Sequence, residues 1–368
     1  MLNVKNNFLR SIWRENNLMH RILWGAVALV GTGLAFATPD AANAQQSITI
    51  SSWGGALQKA QREAWFNVVE KELGITIKEE TTSGIADVRA QVASGNPTWD
   101  ISMQGAYSCA ILEKEGKLEK LDPAIVNDPG VPKELKSDYW ISNIVYATTI
   151  GWRKKAYGDK RPTGWADFWN TKDFPGQRSM RRHPIYQLEA ALIADGVPMD
   201  KLYPLDVDRA FKKLQEIKPH VLVWWNSGAQ SAQVLQDGEV DMVSAWNGRI
   251  QAAMAEKSSR GGELGITFDQ QMIVSDCWLV PKGAKNKELA MKAIAIMLRP
   301  DVQARLPLYI NYAPANTKAF ETGIIPKEKM AELPNSPENL AKGFILSVDW
   351  WVQNTDQMVK RFDAFLQE

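Results

Sequence analysis

The chain is poor in the side chains that metals and covalent catalysts need. Its 368 residues hold only three histidines and two cysteines, so a catalytic triad or a cluster of soft metal ligands has little to draw on. Cys109 and Cys277 stand alone, without Cys-x-x-Cys spacing. No Gly-Lys-Ser/Thr phosphate loop, His-Glu-x-x-His or Gly-x-Ser-x-Gly occurs in the sequence. Charge of one sign is not in excess either. Lys+Arg 43 against Asp+Glu 42 offers a nucleic acid no electrostatic footprint. The longest apolar run, from Ile22 to Ala37, falls short of the roughly 20 residues that a spanning helix needs. Low-complexity tracts and internal repeats are absent, and 45% hydrophobic residues is ordinary for a globular chain.

The apolar run has a meaning of its own. Arg21 precedes it and Ala42-Asn43-Ala44 follows, the small-x-small pattern of a secretory leader cleaved after Ala44. The stretch before Met19 is long for such a leader, which makes Met19 a second candidate start. No twin arginine and no cysteine after the apolar run point to a folded-export route or a lipid anchor. The expected destination is the periplasm, for a mature chain from Gln45 that is essentially neutral and monomeric. An oxidising compartment permits a Cys109–Cys277 disulfide. Two separately buried thiols are the expectation adopted here, because free cysteine is among the most buried residue types.

Alternating apolar and small polar residues predict a strand over 47–53, turned by Gly54-Gly55 into a helix over 56–73. Strands over 75–82 and 99–103 and helices over 85–94 and 106–115 continue the pattern, which reads as parallel βαβ units. The β-branched stretch 144–152 predicts a long unbroken strand. Helices over 165–169, 184–195, 207–217, 227–236 and 287–298 follow, with strands near 176–180 and over 221–225, 241–246 and 272–280. Residues 326–368 are expected to be helical.

The most informative stretch lies between Gly238 and Asn316. A strand ends in Ala245-Trp246-Asn247-Gly248, and the next, Met272 to Val280, carries one acid, Asp276. Ala284-Lys-Asn-Lys-Glu288 opens a helix that closes on Leu298-Arg-Pro-Asp-Val302, and a loop with Asn311-Tyr312 follows. In order and spacing this resembles the spermidine/putrescine-binding family of periplasmic solute-binding proteins that serve ABC importers. The resemblance implies an α/β, two-lobed periplasmic-binding-protein fold of type 2, each lobe a mixed sheet flanked by helices, with a hinge and a central ligand cleft. It places lobe 1 at 45–147 plus 272–318 and lobe 2 at 148–271 plus 319–368, with the 144–152 strand passing between them. The implied partners are a small amine or zwitterion, an ABC permease and its ATPase subunits, with no cofactor, metal or nucleic acid.

In open α/β sheets ligands sit beyond the carboxyl ends of strands, where helix N-termini present free N–H groups. Three strand ends qualify: Trp53-Gly54-Gly55, Gly105-Ala106-Tyr107, and Trp225-Asn226-Ser227, although a helix cap alone accounts for Ser227. Aromatic faces around a cation gain roughly 0.5–2 kcal/mol each. The resemblance places Trp53, Tyr107, Trp246, Asp276 and Tyr312 on ligand-contacting positions, whereas Trp65, Trp140, Trp165 and Trp169 read as core. The match breaks where the family carries acids: the chain has Trp53-Gly54-Gly55 at one position and Arg181-Arg182-His183 at another. A diamine would meet a like charge there, whereas an arginine suits a carboxylate. The expected ligand is therefore a polyamine or, better, a zwitterionic amino-carboxylate. Two alternatives remain open: a thiaminase-like enzyme with Cys109 as nucleophile, and an iron(III)-binding relative using Tyr309 and Tyr312.

Overall fold

The computed structural model describes residues 46–126, 129–256 and 262–368; the expected leader, 1–44, lies outside them. Ten strands join one hydrogen-bonded sheet among these residues. They are β1 (Ser47–Ser52), β2 (Thr76–Thr81), β3 (Ile101–Gly105), β4 (Trp140–Arg153), β5 (Arg178–Arg181), β6 (Val221–Trp225), β7 (Met242–Trp246), β8 (Leu264–Leu279), β9 (Ala313–Pro314) and β10 (Phe344–Ile345). Their order is β2-β1-β3-β8-β4-β7-β5-β6, with β9 on β4 and β10 on β8.

Two parallel groups occupy the ends of this order, β1 with β2 and β3, and β5 with β6 and β7. Parallel pairs need crossovers. The helical stretch from Gly55–Gln61 to Asn67–Leu73 and the helices Ile85–Ala93, Val207–Ile217 and Gly228–Gln236 supply them. Between the groups β4 and β8 run antiparallel to each other, β8 also to β3 and β4 also to β7. The β-branched run read from the sequence is thus the middle of a 14-residue strand, buried except at its last residue. Two large apolar clusters pack against these strands, and the first takes residues from both groups, Ile50 and Ile101 as well as Val243 and Ala245. One core gathers Trp65, Phe66, Ile294, Met297 and Leu298; the other gathers Trp165, Phe168, Leu188, Leu214, Trp351 and Phe362.

Three expectations are corrected. The strand expected from Met272 starts at Leu264, because the polar residues before Met272 find partners that a sequence pattern does not display. Gln270 donates its N–H to the Lys342 carbonyl and accepts from the Trp165 N–H. Residues 326–368 are not helical throughout. Short helices Lys327–Ala331 and Pro337–Leu340 precede β10, and only Val348–Gln367 is long; Pro334 and Pro337 break the pattern. Finally, Cys109 and Cys277 are not separate thiols but a disulfide, with Cα atoms 6.8 Å apart. The pairing of Gly105 with Asp276 sets helix Ala106–Lys114 against β8, so that the first turn of the helix carries Cys109 over Cys277.

Candidate functional site

Trp53 follows β1, Tyr146 lies in β4, Trp246 ends β7, Asp276 lies in β8 and Tyr312 precedes β9. With Leu57 and Ile144 they enclose a cavity of about 10 Å³, room for about one water. Rings meet across it: Trp53 to Trp246 at 6.3 Å, Tyr146 to Trp246 at 5.9 Å and Tyr146 to Tyr312 at 5.6 Å. This is the position beyond strand ends where α/β sheets place ligands.

Asp276 is the acid of the cavity and is only 2% exposed. Trp53 Nε1 donates to its Oδ2 at 2.7 Å and the Tyr146 hydroxyl to its Oδ1 at 2.9 Å. Burial pushes its carboxyl up to about 7, opposed by those two hydrogen bonds and by the charges of Arg181 and Arg249. Burial, with Asp276 next to it, holds the Tyr146 phenol well above its ordinary range, so it stays a donor. Burial likewise pushes Tyr312 up to about 12, against the opposing charge of Arg249.

The helix Asn247–Ala255 begins directly after Trp246 and puts Arg249 on its first turn. Arg249 is also 2% exposed. Its Nη2 donates to the Gly54 carbonyl at 3.0 Å, whereas Nε and Nη1 are buried without a partner. The Gly54-Gly55 turn makes this approach available. Both residues have positive φ, 64° and 58°, and a Cβ on Gly55 would stand 2.9 Å from Arg249 Nη1. On the other side, a Cβ on Gly228 would come within 2.7 Å of the Trp246 ring and 2.8 Å of Arg249 Nε. Trp246 Nε1 is a further buried donor without a partner.

The sequence candidates therefore separate. Trp53, Trp246, Asp276 and Tyr312 share one cavity, with Gly54 and Gly55 at its edge. Trp225 stands behind, its ring 5.2 Å from Trp246 and its Nε1 bonded to the Ser244 carbonyl at 2.9 Å. Arg181 ends β5 with its guanidinium 5.3 Å from the Trp246 ring. Arg182 is exposed. Ser227 is exposed too and caps helix Gly228–Gln236, its Oγ accepting from the Gln230 N–H at 3.2 Å. Tyr107 lines a larger cavity, of about 420 Å³, that shares Tyr146 with the first and also takes in Tyr186, Ile273 and Leu346. Of the polar groups at or beside the cavity, Tyr146 and Arg249 were not among the candidates. The signal for Tyr146 was its place two residues after Ile144 on one strand face; the signal for Arg249 was its place one helical turn after Trp246.

Both alternatives lose their chemistry. Cys109 is fully buried and bonded to Cys277, so it presents no thiol to a substrate. Tyr309 is 55% exposed while Tyr312 is buried at 2%, and no cluster of His, Cys, Asp or Glu among the described residues could hold a metal. No helix among them is long and apolar enough to cross a membrane.

The family model for the bacterial extracellular solute-binding proteins matches residues 64–335. The chain belongs to that family. A γ-aminobutyric acid-binding protein from Pseudomonas aeruginosa is 36% identical over 342 residues, 90% of this chain and 94% of the relative. A spermidine/putrescine-binding periplasmic protein from Escherichia coli is 27% identical over 263 residues, 68% and 73% of the two. The resemblance read from the sequence is thereby confirmed at the level of family: the protein is a periplasmic solute-binding protein of the polyamine-binding-like group serving ABC importers, and its relatives are receptors rather than enzymes.

Two solved relatives are similar over most of the chain. The binding protein AgtB from Agrobacterium tumefaciens R10, in complex with agropinic acid, is 31% identical and superposes with a TM-score of 0.82, covering 88% of this chain and 99% of its own. AttC from A. tumefaciens C58, open and unliganded, is also 31% identical and covers 88% and 100%, yet its TM-score is 0.62.

Proposed function

We propose that the protein captures a small zwitterionic amino-carboxylate in the periplasm and delivers it to an inner-membrane ABC permease. The ammonium would take the one-water space on Asp276 among the faces of Trp53, Tyr146 and Trp246, and the site would widen for the rest of the ligand to bring its carboxylate to Arg249. The observation that carries this reading is Arg249, whose buried Nε and Nη1 lack a partner beside a cavity with one ionisable acid. A buried unpaired donor costs about 1–3 kcal/mol, and a carboxylate matches the fork of a guanidinium with two charge-assisted bonds. The relative that binds γ-aminobutyric acid supports a ligand with one cationic and one anionic end.

The rest of the reading follows from the architecture. Residues 1–44 would be a leader cleaved after Ala44. Lobe 1 would comprise 45–147 plus 272–318 and lobe 2 148–271 plus 319–368, hinging on β4 and β8, with the mature protein acting as a monomer. Gly54, Gly55, Trp53, Trp246, Asp276 and Tyr312 would contact the ligand directly, with Trp225 buttressing Trp246. Isothermal titration of residues 45–368 with γ-aminobutyrate, agropinic acid, putrescine and spermidine tests the proposal. Binding of amino-carboxylates in preference to polyamines is expected; a preference for spermidine would sink it.

A further inference from the structure

Arg181 occupies the kind of place that a ligand cation would take. Its Cζ lies 5.3 Å from the Trp246 ring, 5.7 Å from Tyr186 and 5.9 Å from Trp225. Three aromatic faces within about 6 Å of one charge make a box for a cation. Among the described residues no carboxylate pairs with this guanidinium, so the rings themselves hold it in place.

The box is built rather than accidental. β5 pairs with β6 so that Arg181 lies opposite Trp225, and the Trp225 ring is fixed by its bond to the Ser244 carbonyl at 2.9 Å. Tyr186 is buried and held at a positive φ of 74°, with its N–H donating to Glu189 Oε2 at 3.0 Å. Its hydroxyl is 3.4 Å from that of Tyr146, which in turn donates to Asp276. The filled box and the cavity acid are therefore joined through two phenols and share the Trp246 ring. Arg182, the next residue, faces solvent, as the period of two along a strand requires.

We propose that Arg181 is the specificity-determining residue that turns diamines and polyamines away: its guanidinium fills the aromatic box that a second ammonium would need, so the cavity admits a ligand with a single cationic end. The inference rests on the reading that an ammonium occupies Asp276. Given that placement, the far amine of a diamine meets a fixed like charge and finds the aromatic faces already taken, which disfavours the wrong ligand as effectively as a clash.

The test is titration calorimetry with putrescine and γ-aminobutyrate on wild type, Arg181→Met and Arg181→Lys, with thermal unfolding as the check on folding. Arg181→Met keeps bulk and removes charge; it is expected to bind putrescine at least tenfold more tightly than wild type and γ-aminobutyrate within about threefold. Arg181→Lys returns a cation to the box and should exclude putrescine as wild type does. If Arg181→Met does not fold, Arg181→Gln reads the same difference. Unchanged putrescine affinity in a folded neutral variant overturns the proposal. So does loss of γ-aminobutyrate without a gain in putrescine, which would make Arg181 a partner of the carboxylate. A wild type that binds no amino-carboxylate, beside a neutral variant that gains putrescine, would defeat the zwitterion reading while supporting the filled box.

Discussion

Two carboxylates in this protein have nearly the same environment and different prospects. Asp276 and Glu189 are both buried, at 2% and 0% exposure, and burial pushes each up to about 7. Glu189 is closed off by its own protein. It accepts from the Tyr186 N–H at 3.0 Å, the Tyr203 hydroxyl at 2.7 Å and Trp351 Nε1 at 2.7 Å, and so ties the start of one helix to the C-terminal helix. Asp276 accepts two bonds, adjoins a cavity and has nearby Arg249, whose buried Nε and Nη1 lack a partner. Burial and a raised pKa do not by themselves mark a binding site. What separates the two acids is whether nearby groups of opposite charge have been left for a ligand to complete.

The strongest way to sharpen the comparison is to delete the structural acid. Glu189→Leu leaves two buried donors and the half-buried Tyr203 hydroxyl without this acceptor, and at about 1–3 kcal/mol for each the variant should lose on the order of 4 kcal/mol of stability, measured by urea denaturation. A loss below about 1 kcal/mol would mean that the three donors find other partners. Arg249→Met should divide the two regions in the opposite sense. Ligand affinity should fall about a hundredfold, in line with the 2–5 kcal/mol typical of removing one partner from a buried charged pair, while ligand-free stability stays level or rises because unpaired donors are removed. Calorimetry and thermal unfolding of the same preparation give both readings. Affinity within threefold of wild type would remove Arg249 from the site.

Much of the framework was legible before any coordinates. The helices Trp165–Trp169, Val207–Ile217 and Lys287–Leu298 and the strand Val221–Trp225 fall on the bounds read from periodicity, because each has a clear apolar face and clear punctuation. The first half of β8 was not legible, since its polar residues are satisfied by chain more than 60 residues away, as when Gln271 Nε2 donates to the Pro334 carbonyl. The site divided in the same manner. Asp276 announced itself as an acid in an apolar run, a costly placement unless it is partnered. Arg249 sits on a helix beside the polar Asn247 and Gln251, a pattern that gives no sign of burial; the meeting of the helix after β7 with the β1 turn buries it. Arg181 and Arg182 were inseparable as neighbours until the strand assigned them to opposite faces. Cys109 and Cys277 were likewise joined by register, which two isolated cysteines do not reveal.

Asp276→Asn tests the cavity acid directly. The amide keeps one acceptor oxygen for Trp53 Nε1 and turns its NH2 to the Tyr146 hydroxyl oxygen, but removes the charge that an ammonium would meet, so affinity for an amino-carboxylate should fall more than tenfold, about 1.4 kcal/mol or more. Stability of the ligand-free protein should change by less than about 1 kcal/mol, in contrast to Glu189→Leu. Equal losses of stability at the two positions would erase the distinction between them.

The smallest effect expected is a slope. A carboxyl raised to about 7 in the folded protein binds more protons than its unfolded counterpart between about pH 4 and 7. Stability therefore falls as pH rises through that window, by up to about 1.4 kcal/mol per pH unit for each acid, and levels off above it. Asp276 and Glu189 contribute with the same sign in the ligand-free state. Ligand should separate them: an ammonium on Asp276 favours its charged form and flattens that half of the slope, whereas Glu189 is out of reach and keeps its half. Conversely, affinity should weaken as pH drops below about 7, because Asp276 must give up a proton to receive an ammonium. Denaturation between pH 5 and 8, with and without saturating ligand, should show the slope roughly halved by ligand and halved equally by Asp276→Asn. A slope that ligand leaves untouched would place the ammonium somewhere other than Asp276.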